Sequence, residues 1–145
     1  MIFAKHLFNA LTSEDTDQFK KNSISRYGRL NVQRAESFIN KLNSDFLKKL
    51  KNSHDKIVQE LYQLHHLASD SLLVQELIEK HFNCIKQYWG TIGNAKQHLE
   101  SYNDLALKYS NDIRFAIIND EPQPEFAQFM HEAMSTFIKK NIKRT

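Results

Sequence analysis

Apolar residues recur along this chain at intervals of three, four or seven, and no two-residue alternation is sustained. That spacing predicts amphipathic α-helices. Thr12-Ser13-Glu14-Asp15 reads as the first start signal, a hydroxyl able to accept from free backbone amides followed by carboxylates suited to the helix dipole. The helix it opens carries Phe19, Ile24 and Tyr27, and Gly28 is placed to end it. A short helix over 32–42 sets Phe38 and Leu42 on one face. Asn43-Ser44-Asp45 then caps a long stretch in which Phe46, Leu50, Ile57, Leu61, Leu64 and Ala68 recur at helical spacing.

Ser69-Asp70-Ser71 caps again, and the next helix carries Leu73, Leu77, His81, Cys84, Ile85 and Tyr88 toward Gly90 and Gly93. Another carries Ala95, Leu99, Tyr102, Ala106 and Tyr109. Asn111-Asp112 caps a short apolar piece over 113–118, and 119–124, with both prolines, reads as a loop. The last helix starts at Glu125 and buries Phe126, Phe129, Met130, Ala133 and Phe137. The pattern predicts one all-α domain over 1–145, with about six to seven helices. The stripes in 1–43 are short, and such helices are marginal without packing partners. That segment is expected to be a mobile lid over a helical core spanning 44–145.

Composition narrows the function classes. Twenty basic and 17 acidic residues give a net charge of +3, too small an excess to indicate nucleic acid. The lysine-rich runs 48–51 and 139–144 read as solvated helix faces. A single cysteine excludes an internal disulfide and fits a reducing compartment. The first eleven residues lack the apolar stretch of a signal peptide, and no run reaches membrane-spanning length. The expectation is a soluble cytoplasmic protein with no membrane partner. The oligomeric state is not readable.

Catalytic and metal devices are missing from the pattern. None of the seven histidines follows a carboxylate at the spacing of helical di-iron sites, and no His-Glu-x-x-His or phosphate-binding glycine loop is present. Cys84 sits inside a helix with no glycine elbow, so a buried small residue is the simpler reading. His81 on an apolar face is either a haem ligand or a hydrogen-bonded core or pocket residue, and the second reading is the one taken. The expectation is a non-enzymatic domain without metal or cofactor. Ten Phe, five Tyr and one Trp are a notable aromatic load. Tyr88, Trp89, Tyr102 and Tyr109 serve either as core or as walls of a ligand cleft.

Four stretches carry a family resemblance: Asp17-Gln18-Phe19 with Arg26-Tyr27-Gly28, the run His81 to Trp89, the block Leu105 to Phe115, and the ending Pro124 to Met134. Together they resemble the TipAS antibiotic-recognition domain, found most often as the effector-binding half of MerR-type transcription activators. The resemblance implies a globin-like helical fold without haem, and a cleft lined by aromatic side chains that binds a peptide-like antibiotic. It also implies an N-terminal segment that is loosely structured until ligand arrives.

On that resemblance Tyr88, Trp89, Tyr102 and Phe115 would offer stacking surface, His81 and Asp104 polar contacts, and Arg26, Tyr27 and Phe38 a closing lid. Between Trp89 and the Leu105 block this chain is several residues longer than the family pattern. Asp104 falls where some thiopeptide binders carry a cysteine that captures a dehydroalanine, and a carboxylate cannot form that thioether. The resemblance begins within the first twenty residues, leaving no room for a winged helix-turn-helix and no expectation of direct nucleic-acid binding. The function expected is sequestration or sensing of a thiopeptide- or albicidin-type antibiotic, conferring resistance in the first case. The alternatives are a module that docks a partner helix in the same groove and a tetrapyrrole protein.

Overall fold

A computed structural model describes residues 4–90 and 92–142. Among them the order is α1 (Ala4–Leu7), α2 (Ser13–Tyr27), α3 (Arg29–Lys41), α4 (Ser44–Gln63), α5 (Leu72–Lys86) and α6 (Ala95–Asn111). A 3-10 turn (Ile113–Ala116), β1 (Ile117–Ile118), β2 (Glu121–Pro122) and α7 (Pro124–Ile142) complete it. The fold is all-α, with one two-stranded ribbon.

Local chemistry sets the boundaries. Thr12 and Asp15 form a reciprocal cap on α2: Asp15 N donates to the Thr12 hydroxyl at 3.2 Å and Thr12 N to the Asp15 carboxylate at 2.8 Å. Gly28 ends that helix at φ +88°, a left-handed conformation where a side chain is strained, and α3 begins at the next residue. Asn43 caps α4 by accepting from Asp45 N at 2.7 Å, and Asn94 with Gln97 repeats the reciprocal cap on α6.

The main core gathers α4, α5, α6 and α7 with α1 and Phe19 of α2. Val74, Ile78, Leu105, Met130 and Met134 are among its fully buried members. α6 and α7 form the largest helix pair, with α5 against α4 on one side and against α7 on another. α2 and α3 pack chiefly on each other, and a separate small apolar cluster of Tyr27, Ala35 and Trp89 lies against them.

The structure alters the expected stripes in places. α4 ends at Gln63, so Ala68 lies exposed in the turn beyond it; Phe46 is also largely exposed, and His54 and Val58 join the buried face. Leu73 points outward at 51% exposure, because the inward face of α5 is set by Val74, Leu77, Ile78 and His81. The regular helix stops at Lys86, and single i+3 turns place Tyr88 and Trp89 before Gly90. The 117–122 segment is a hairpin in which Ile117 faces Pro122 and Ile118 faces Glu121. Its tip, Asn119 and Asp120, has φ of 53° and 66°, values these two residue types tolerate best after glycine. Two-residue strands leave no alternation to detect.

Candidate functional site

The end of α2 meets α6 at one acidic side chain. Arg26 forms an ion pair with Asp104 Oδ1, and the Tyr27 hydroxyl donates to Asp104 Oδ2 at 3.4 Å. The hydrogen bond that Arg26 donates to Asp104 raises the guanidinium pKa further, so the cation is permanent. Burial pushes the Tyr27 phenol well up, aided by the Asp104 charge, so it stays a donor. The Arg26 and Asp104 side chains remain 46% and 26% exposed, which limits what the pair adds to stability.

Trp89 forms the wall behind this junction. Its ring meets Tyr27 edge-on at 5.7 Å between centroids and lies 6.0 Å from His98, whose Nε2 is 2.7 Å from the Ile92 carbonyl. The Trp89 indole Nε1 is buried without a partner. Phe38 of α3 lies across Gly90, where φ is +58° and a Cβ would stand 2.6 Å from the phenyl ring. Gly90 is thus required both by its conformation and by the close approach of that ring. Four of the residues expected to contact ligand are thereby joined (Arg26, Tyr27, Trp89 and Asp104), and Phe38 is seated one residue beyond the indole.

Two grooves meet at Arg26. The larger, about 930 Å³, runs between α6 and α7. Leu99, Ile138 and Ile142 give it apolar surface, Asn103, Ser135 and Thr136 neutral hydrogen-bonding groups, and Lys96 and Glu100 charge of both signs. The smaller, about 300 Å³, lies between α2 and α6 over Phe19, Asn22, Asp104 and Lys108. Arg26 lines both, so its ion pair with Asp104 stands as the partition between them.

The other four expected residues belong to the core of this structure. His81 and Tyr102 are fully buried and hydrogen-bonded to each other, Nδ1 to hydroxyl, at 2.7 Å. Phe82 and Phe137 pack on the Tyr102 ring at 5.0 and 5.9 Å. Burial, with the nearby His54, holds the His81 imidazole neutral. Tyr88 is 0% exposed and bonds His6 Nδ1 through its hydroxyl at 2.7 Å. Phe115 lies 4.6 Å from Phe8 and 6.3 Å from Phe19. Helical spacing shows that these side chains share a face, but cannot tell a mutually satisfied polar pair inside a core from a pocket wall.

Sequence reasoning missed the groove between α6 and α7. Its polar members, Asn103, Ser135 and Thr136, follow the same spacing as any solvated face, so no signal marked them. Cys84 is buried, its thiol donating to the Leu50 carbonyl at 3.5 Å, and burial raises its pKa to about 11. A thiol so held is a poor nucleophile. No group of three or more His, Cys, Asp or Glu side chains suited to a metal ion occurs among the described residues. No helix of the described residues is long and apolar enough to cross a membrane.

Compared with known proteins, the chain matches one family model, described as the TipAS antibiotic-recognition domain, over residues 19–137. No curated protein and no solved structure matches it.

Proposed function

The chain belongs to the TipAS antibiotic-recognition domain family, whose members bind ligands without catalysis, and we propose that it binds a peptide-like or aromatic antibiotic beneath α2. The observation that carries this placement is the Arg26–Asp104 partition, one exposed ion pair separating two grooves along α6. Displacing that pair joins the grooves into one cleft long enough for a multi-ring ligand. Trp89 and Tyr27 then offer aromatic surface, and the unpartnered indole Nε1 offers a hydrogen bond to a ligand carbonyl. Apolar contact supplies most affinity in such a cleft, while a few polar groups fix orientation.

In this reading α2 and α3 form the lid expected for the N-terminal segment. They pack chiefly on each other, and Gly28 between them keeps the hairpin a unit. Asp104 in place of a capturing cysteine makes binding reversible, and the protein acts by sequestering or sensing the drug. His81, Tyr88, Tyr102 and Phe115 support the cleft from below instead of touching ligand.

The test is a thermal-shift and calorimetric titration of the purified chain with a thiopeptide and with albicidin. Ligand at a hundred times its dissociation constant adds about 2.7 kcal/mol to stability, several degrees for a domain of this size. A shift with either compound, lost in Trp89→Phe, is the expected result. No shift with both would remove these two classes from the proposal.

A further inference from the structure

Two matched stripes build the smaller groove. Phe19, Asn22 and Arg26 recur on α2 at spacings of three and four, and Asp104, Lys108 and Asn111 do so on α6. Each set lies on one helix face, and the groove of about 300 Å³ runs between them. That volume is at the lower end of the range for small-molecule sites.

The charges in it do not balance. Arg26, Lys108 and Asp104 are its ionised side chains, two cations against one carboxylate. Lys108 follows Asp104 by four residues, the spacing at which an acid and a lysine ordinarily pair along a helix. Asp104 is turned instead to Arg26 and Tyr27. The half-buried Lys108 holds Nζ 4.7 Å over the Phe19 ring, and among the described residues no carboxylate lies within ion-pair distance of it. An aromatic face fixes a cation in place without neutralising it.

The uncharged groups add donors to this surplus. Gln18 Nε2 donates to Asn22 Oδ1 at 3.0 Å, which leaves the Asn22 amide nitrogen to donate. Arg26 uses Nη1 for Asp104, and a guanidinium carries five N–H groups in all. Leu107, also lining the groove, is 44% exposed and offers apolar contact.

We propose that the smaller groove is a binding site for an aromatic or otherwise apolar molecule bearing one carboxylate, held by Lys108 with Arg26 and Asn22 as further donors. A single carboxylate neutralises a surplus of one positive charge, and its two oxygens suit the arginine fork. A neutral amide leaves that charge unanswered. A phosphate dianion brings more negative charge than the groove can neutralise beside Asp104. The inference concerns the smaller groove alone and holds with the Arg26–Asp104 pair intact.

The full chain, labelled with ¹³C,¹⁵N-lysine, is titrated with benzoate, benzamide and phenyl phosphate. The Lys108 Cε signal, assigned by its loss in Lys108→Met, is followed by NMR beside those of the other lysines. The expected result is a saturable shift of Lys108 with benzoate, none with benzamide, and phenyl phosphate no tighter than benzoate. Lys108→Met keeps a side chain over Phe19 and weakens benzoate at least fivefold, read from the ligand's line widths, and Lys108→Arg restores it. Asp104→Asn keeps an oxygen for Arg26 and Tyr27 but removes the competing charge, so it tightens benzoate at least threefold. The proposal is overturned by absence of a saturable shift, by equal shifts at all lysines, by tighter binding of phenyl phosphate, or by an Asp104→Asn chain that binds benzoate no better. Loss of benzoate binding with a retained antibiotic shift removes this site alone, and the reverse outcome removes the antibiotic reading alone.

Discussion

Arg26 closes on Asp104 across a span of 78 residues, tying the last turn of α2 to the middle of α6. The pair is partly in solvent, and Arg26 lines both of the grooves that flank α6. Its structural importance therefore exceeds its energetic weight.

A double-mutant cycle of Arg26→Ala and Asp104→Ala, measured by urea unfolding, should give a coupling energy of no more than about 1 kcal/mol. Hydrogen exchange in the last turn of α2 should rise in both single variants. Unchanged exchange there would show that α2 is held to α6 by its packing alone.

Trp89 separates binding from folding. Trp89→Phe keeps a ring against Tyr27 and removes the indole nitrogen that has no protein partner. Antibiotic affinity should fall at least tenfold while the unfolding midpoint moves little. Trp89→Ala is the less informative change, since emptying a site only 3% exposed costs about 3–5 kcal/mol in cores of this kind.

Stability should depend on pH through His81. Its folded pKa lies well below the ordinary 6.5, from burial first and the nearby His54 second. Below pH 6.5 the unfolded chain therefore takes up a proton that the native state refuses, and stability falls as pH falls. The slope approaches about 1.4 kcal/mol per pH unit for this one group. His54 from α4 and Tyr102 from α6 are the titratable groups that face it. His6, lowered by burial and then by Lys51, adds in the same direction. Urea unfolding at pH 7.5, 6 and 5 reads this, and a flat profile would contradict the buried neutral imidazole.

Gly28→Ala and Gly90→Ala should differ. At Gly28 a Cβ meets nothing within 4 Å, so only the backbone, at φ +88° and ψ 149° in a region that side chains rarely adopt, resists it, at about 1–3 kcal/mol. At Gly90 a positive φ of 58° is joined by the Phe38 ring, which must move. The second variant should be the less stable by urea unfolding, and it alone should change the Trp89 emission, since Gly90 directly follows that residue and the Phe38 ring lies over it.

Cys84 should resist a thiol reagent such as dithionitrobenzoate in the native state and react once the chain unfolds. Burial at 4% exposure and a pKa of about 11 both act against the thiolate.

Helix positions were legible because caps are local: Thr12, Asn43 and Ser71 announce α2, α4 and α5 within a few residues. The reciprocal pair Asn94 and Gln97 carries the same signal, masked by the two glycines that precede it. Inward faces were read less well, since Leu73 and Val74 are equally apolar and only tertiary packing decides which turns in. The junction of Arg26, Tyr27 and Asp104 came from motif resemblance and not from periodicity. Arg26 and Tyr27 adjoin each other but lie 78 and 77 residues from Asp104, and no repeat links them to it. Tyr102 and Trp89 look alike in a helical pattern. They differ in the structure because Tyr102 finds His81 inside the core, whereas the Trp89 nitrogen finds no one.

The Arg114 fork has a kinetic corollary. Its guanidinium grips Asp15 and Asp112 together, fastening the first turn of α2 to the segment after α6, while Arg26 and Tyr27 fasten the last turn to Asp104. On the proposed reading α2 swings from its N-terminal end, as a gate hung on the Arg114 fork and latched on Asp104. Ligand entry would then wait on that latch, whose ion pair ionic strength screens. Added salt should therefore quicken association with an uncharged antibiotic, where for most protein–ligand pairs of opposite charge it slows it.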